Sequence, residues 1–166
     1  MSAAGSPSLL FDGPEAARNT IVLAHGAGAA MDSAFMNTIA AGLADRDLRI
    51  ARFEFPYMQK RCADGGRRPP DRQPVLLDTW RQVIAALAPA SRLIIGGKSM
   101  GGRMASLIAD ESAVAALVCL GYPFHPLDRP DKLRTEHLRD LATPTLILQG
   151  ERDALGNRED VAGYDL

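Results

Sequence analysis

Apolar residues fall along this chain in two alternating rhythms. Short, nearly continuous apolar runs at 20–24, 93–96, 113–120 and 145–149 have the length and composition of buried strands. Between them Phe35, Ile39 and Leu43, then Leu76, Trp80, Val83 and Leu87, then Met104, Leu107 and Ile108 recur at the spacing of one helix face. Pro74 starts the second of these helices and Pro89 ends it. A weaker run at 8–11 is followed by Asp12-Gly13-Pro14, a turn signal that allows an initial hairpin or bend with 20–24. Residues 48–53 alternate apolar with basic positions, as expected of a strand near the sheet edge. The run at 113–120 is apolar enough for a parallel strand covered by helices on both faces. Residues 54–73 show neither rhythm and read as a long loop in which Lys60, Arg61, Arg67, Arg68 and Arg72 outnumber Asp64 and Asp71. A solvated charged loop is the ordinary outcome; gating a pocket or holding an anionic substrate group is the alternative.

Strands alternating with helices, without an internal repeat or a linker, predict a single domain over 1–166: α/β, an open, mostly parallel sheet with helices on both faces. Loops leaving the carboxyl ends of such strands share one rim, where ligands bind. The loops beginning at His25, Gly97, Gly121 and Gly150 are expected to converge there.

Composition narrows this only slightly. With 166 residues, 46% of them hydrophobic, and a net charge of -1, the chain suits one well-formed core and has no charge excess favouring nucleic acid or an anionic membrane. No apolar run approaches the roughly 18 residues needed to span a bilayer, and the start lacks a signal-peptide pattern, so a cytoplasmic protein is expected. Cys62 in a polar loop and Cys119 in an apolar run form neither a metal-ligand spacing nor a disulfide framework.

The candidate chemistry lies in Gly97-Lys98-Ser99-Met100-Gly101, which fits G-x-S-x-G between an apolar strand and a helix. Flanking glycines permit a strained turn that lifts the hydroxyl of Ser99 clear of the sheet. A phosphate-loop reading of Gly97-Lys98-Ser99 fails because Arg92 stands where that motif needs glycine. The plain alternative is an ordinary serine in a glycine-rich turn. Upstream, His25-Gly26-Ala27-Gly28 follows a strand and can turn backbone N–H groups toward a ligand.

Together with Leu148-Gln149-Gly150-Glu151-Arg152-Asp153, these stretches make the chain resemble the α/β-hydrolase superfamily. More narrowly, it looks like the compact, lid-poor branch that includes dienelactone-hydrolase-like proteins and hydrolase-like subunits of a nuclear acetyltransferase complex. Residues 53–58 (Phe-Glu-Phe-Pro-Tyr-Met), 97–103 and 121–126 (Gly-Tyr-Pro-Phe-His-Pro) look like signatures of that branch. The resemblance implies Ser99 as nucleophile, Asp153 as the acid, the N–H groups of Met100 and Ala27 as oxyanion donors, and His25, Gly26 and Tyr122 on the substrate side. It implies a small-molecule ester or related acyl substrate and no metal or organic cofactor.

The departure is the base. The fold's order is Ser, then Asp or Glu, then His, and no histidine follows Asp153 in this sequence. Three accounts follow, in descending order. The chain is an incomplete domain lacking the last strand and helix; His125 substitutes; or a partner chain supplies the base. His25 is expected to support the oxyanion turn and His137 to sit on a helix. Impaired hydrolysis and a catalytically silent binding scaffold are the competing functional expectations. Without a further strand, 145–149 becomes an apolar edge through which a homodimer is expected.

Overall fold

The apolar runs pair into one six-stranded sheet because each leaves backbone donors and acceptors that only another strand can satisfy in the interior. The structure, a computed structural model, describes residues 7–87 and 89–166. In chain order the elements are β1 (Leu9–Asp12), β2 (Thr20–Ala24), α1 (Ala34–Ala44), β3 (Arg49–Phe53), α2 (Pro56–Asp64), α3 (Gln73–Leu87), β4 (Leu93–Lys98), α4 (Met100–Ser106), β5 (Ala116–Leu120), α5 (Glu136–Arg139), β6 (Thr145–Leu148) and α6 (Arg158–Ala162). The strand order is β1-β3-β2-β4-β5-β6, parallel throughout except that β1 runs antiparallel to β3.

That order reverses direction between β2 and β4. Ligands of open α/β sheets bind at such a switch point, and the two turns leaving it are the His25 turn and the Ser99 turn.

Three expectations change. Strand β1 makes no hairpin with β2; it pairs Leu9 with Phe53 and Asp12 with Ile50 on β3. The span 54–73 is not all loop, since α2 occupies Pro56–Asp64, with Pro56 in its first turn and Gly65 closing it at φ 68°. Only Tyr57 and Met58 are buried along this helix, so its apolar face is one turn long and leaves almost no periodic signal. Finally, β5 is not covered alike on both faces: Leu117 and Cys119 enter the main core, whereas Ala116, Val118 and Leu120 are only half-buried.

The main core lies on one face, where α3 and α4 pack on the sheet around Trp80, Phe53, Ile95, Met104 and Leu117. Trp80 is fully buried and meets Phe53 edge-to-face with ring centroids 4.7 Å apart, so it is the expected core anchor. On the other face α1 packs Met36 and Ala40 against Ile21, Leu23 and Ile50. Beyond α1 that face is open as an apolar cleft of about 570 Å³ lined by Ile39, Leu43, Ile94, Val118, Leu146 and Leu148, among others. Strand β6 forms the sheet edge, with Leu146 and Leu148 exposed.

The alternation at 48–53 hides a buried cation. Arg52 is 3% exposed, one strand in from the edge, and its guanidinium is fully engaged. It donates to Asp12 Oδ2 at 2.8 and 3.2 Å, to the Met31 carbonyl at 2.7 Å and to Asn37 Oδ1 at 2.6 Å. Asp12 thus ties β1 to the sheet through charge as well as register. Removing it strands a desolvated cation. Asp12→Ala is expected to lower unfolding stability by roughly 1–3 kcal/mol, less than a fully buried pair because Asp12 is partly exposed. Urea denaturation of the two proteins checks this.

Candidate active site

Ser99 sits between β4 and α4 at φ 49° and ψ −113°, a conformation that costs a residue with a side chain of order 1–3 kcal/mol. Neighbouring strands enforce it. A Cβ on Gly96 would overlap the Val118 carbonyl of β5, and one on Gly97 would overlap Ala24 of β2. Gly101 lies against the carbonyls of Ala24 and His25, and Gly102 against the Gly97 carbonyl and Cys119. The Ser99 N–H donates to the Leu120 carbonyl at 3.1 Å, while its own carbonyl accepts from Arg103 N–H at 3.0 Å and starts α4. The half-buried hydroxyl makes no capping hydrogen bond. The first amides of α4, Met100's among them, have no acceptor within the helix.

Across the switch point, the turn after β2 carries Gly26, buried, and Ala27, exposed. Gly26 faces Lys98, whose carbonyl lies 3.5 Å from where a Cβ would stand, so the two turns are in contact.

Asp153 comes from the turn after β6. Its N–H donates to the Gly150 carbonyl at 3.1 Å and its Oδ1 accepts from Leu155 N–H at 2.9 Å. Its Oδ2 is left beside Gly121, 3.4 Å from a Cβ placed there. Gln149 locks this turn to the loop after β5. Its Oε1 accepts from Tyr122 N–H at 2.7 Å, and its Nε2 donates to the carbonyls of Tyr122 at 3.2 Å and Gly156 at 2.9 Å. The polar position next to the turn in the apolar run 145–149 was the only sequence sign of this clamp. Lys98, Gly121, Gln149, Gly150 and Asp153 line a cleft of about 520 Å³ with Phe35, Ile39, Leu120 and Leu148. Lys98 holds its ammonium 4.3 Å from the Phe35 ring centroid. Ser99, the next residue, is not among those lining the cleft.

None of the three histidines lines that cleft. His25 is fully buried; its Nδ1 donates to the Gly26 carbonyl at 2.7 Å and its Nε2 accepts from Phe55 N–H at 3.2 Å. Burial holds it below its ordinary pKa, so it serves as a neutral strut beneath the turn. His125 is 4% exposed, with Nδ1 at 2.9 Å from the Pro126 carbonyl and Nε2 unbonded 3.9 Å from Asp160. The Nδ1 contact is to its own neighbour Pro126, and Nε2 has no hydrogen-bond partner among the described residues. His137, on α5, meets Ser106 Oγ at 2.8 Å and the Tyr122 hydroxyl at 3.4 Å. Tyr122 is fully buried with its hydroxyl in that cluster, and its backbone N–H joins the Gln149 clamp at the rim.

Among the described residues no group of three or more His, Cys, Asp or Glu is placed to hold a metal ion, and no helix is long and apolar enough to cross a membrane.

A profile of the alpha/beta hydrolase domain matches residues 17–166. Solved structures share the fold. An alpha-beta serine hydrolase homologue from Coxiella burnetii is 21% identical, with a TM-score of 0.69 over 93% of this chain and 73% of that one. A serine hydrolase without lid from Xanthomonas campestris is 19% identical, with a TM-score of 0.63 over 93% and 70%. Dienelactone hydrolase from Anabaena variabilis is 22% identical, with a TM-score of 0.63 over 84% and 65%. No curated protein sequence matches significantly.

The histidines give a pH dependence with a definite sign. Burial lowers the pKa of His25 and His137, so the folded protein binds fewer protons there than the unfolded chain. Their contribution is complete above the unfolded value of about 6.5 and is lost as pH falls through the depressed folded values. The urea midpoint is expected to fall between pH 7.5 and 5.5 by this account, and less steeply in His137→Gln.

Proposed function

Because the chain belongs to the alpha/beta hydrolase family, we propose that it is a serine hydrolase acting on carboxylic esters or related acyl compounds, with Ser99 as nucleophile. The observation that carries this reading is the strained backbone of Ser99, held at positive φ by glycine contacts with β2 and β5 at the sheet's switch point. An ordinary serine in a turn has no need of that conformation.

In this reading the Ser99 oxygen attacks the acyl carbon, its proton passes to a water molecule, and the carbonyl pair moves onto oxygen. The N–H groups of Met100 and Ala27 receive that charge, where removing one such donor typically costs about 10²–10³ in kcat. Collapse expels the leaving group, which takes up a proton from water, and leaves an acyl-serine that a second water cleaves to the acid and the free Ser99 hydroxyl. Asp153 is the carboxylate that would orient a base on this rim. His25 and His137 are hydrogen-bonded elsewhere, and the unpaired Nε2 of His125 lies 3.9 Å from Asp160, so this proposal assigns none of them as the proton acceptor. Activity of the chain by itself is accordingly low, on the scale of the roughly 10³–10⁴-fold over water that an oxyanion hole and binding retain when a triad member is missing.

That same absence of a histidine beside Asp153 favours a second reading, a catalytically silent hydrolase-like scaffold. A fluorophosphonate probe separates the two. Labelling that disappears in Ser99→Ala, with p-nitrophenyl acetate hydrolysis falling to background, is the expected result. No labelling of the wild-type chain at high probe excess overturns the enzyme reading in favour of the scaffold.

A further inference from the structure

The turn that would supply the second oxyanion donor is gripped from behind by α2. Tyr57, 2% exposed, reaches across the interior so that its hydroxyl lies 3.0 Å from the Ala27 carbonyl and 3.3 Å from the Gly26 carbonyl. The Gly26 carbonyl also accepts from His25 Nδ1. His25 is itself held by Phe55 N–H and packs edge-on to the rings of Phe55 and Tyr57, with centroids 5.2 and 5.8 Å away. Tyr57 N–H in turn donates to Asp71 Oδ2 at 2.9 Å, fixing the start of α2.

These bonds fix a direction. In a planar trans peptide the N–H points opposite the carbonyl of the preceding residue. The Gly26 carbonyl is bound inward by His25 Nδ1 at 2.7 Å, with the Tyr57 proton shared between it and the nearer Ala27 carbonyl, so the Ala27 N–H of the same peptide faces outward, toward the exposed side of the turn. The next peptide is held by its own carbonyl, that of Ala27, on the Tyr57 hydroxyl. Both peptides flanking Ala27 are thereby clamped from the core side.

The geometry points to Tyr57 as a positioning residue for catalysis: its hydroxyl, with His25, locks the Gly26–Ala27 turn so that the Ala27 amide is preorganised for the oxyanion. This rests on the serine-hydrolase reading. It also gives residues 53–58 a use: Phe53 and Phe55 anchor the segment in the core, Pro56 starts α2 and Tyr57 delivers the hydroxyl. Burial raises the Tyr57 pKa to about 12, so the hydroxyl keeps its proton throughout the working range.

The test compares wild type, Tyr57→Phe, Ala27→Pro and the double variant by rate of fluorophosphonate labelling at Ser99 and by kcat and KM for p-nitrophenyl acetate. Displacing a catalytic group by about 1 Å can cost up to about 10²-fold, so a loosened turn is expected to slow labelling and lower kcat about ten-fold in Tyr57→Phe. KM is expected to stay within about two-fold. Ala27→Pro deletes the amide itself, and adding Tyr57→Phe to it should change the rate by less than about two-fold, because both act through one group. Should Tyr57→Phe not fold, a fluorinated tyrosine at 57 keeps the ring and loses its proton at lower pH, and labelling should then fall with rising pH where wild type does not. Equal labelling of wild type and Tyr57→Phe, a loss confined to KM, or fully additive effects overturn the assignment while leaving the hydrolase reading intact. An unreactive wild-type chain overturns the hydrolase reading and the assignment with it.

Discussion

Three strand ends meet at the centre of this sheet with no room between their backbones, and the rest of the site is arranged by that contact. Strand β4 approaches β2 and β5 so closely at Gly96 and Gly97 that a single added carbon would collide with a carbonyl. Helix α4 presses its own glycines against the same backbones. The chain must therefore reverse from strand to helix within one residue, and that residue, Ser99, takes a positive φ. Residues with side chains avoid this conformation, so only surrounding contacts that leave no alternative can hold it.

A second layer of constraint stands behind the first. The turn after β2 contains two residues that impose little conformation of their own, Gly26 and Ala27, yet its carbonyls are bound by His25 and Tyr57. Buried polar groups are costly when unpaired, so the bonds that satisfy these carbonyls also dictate where the turn's amides point. Gln149 does similar work on the far side, joining the loops after β5 and β6 and so setting the Asp153 carboxylate beside Gly121.

The two faces of the sheet are unequal. One is closed by α3 and α4 around Trp80 and the aromatic cluster. The other is closed by α1 alone, leaving Ile94, Val118, Leu146 and Leu148 on an open apolar cleft contiguous with the one that holds Asp153, since Ile39, Leu120 and Leu148 line both. The carboxylate therefore stands between that apolar surface and a polar cleft lined by Glu151, Arg152, Asn157, Arg158 and Glu159.

The alternation of strands and helices, the parallel sheet, the strained elbow at Ser99 and the turn at His25 were legible in the order of residues, because each depends on local rhythm or on glycine at fixed offsets. Helix α2 was not, since a helix that buries only Tyr57 and Met58 leaves no repeating apolar face. The burial of Arg52 was not, because its counterion Asp12 lies forty positions earlier and meets it only through an antiparallel pairing that no local signal announces. Side-chain direction at the site was likewise decided by tertiary structure. Sequence placed Tyr122 and His25 on rim loops, but packing turned the His25 and Tyr122 rings toward interior partners, since a buried nitrogen or hydroxyl goes where a hydrogen bond can be made. Local pattern determines which elements form and in what order; which groups face the cleft is settled only when those elements compete for the same interior space.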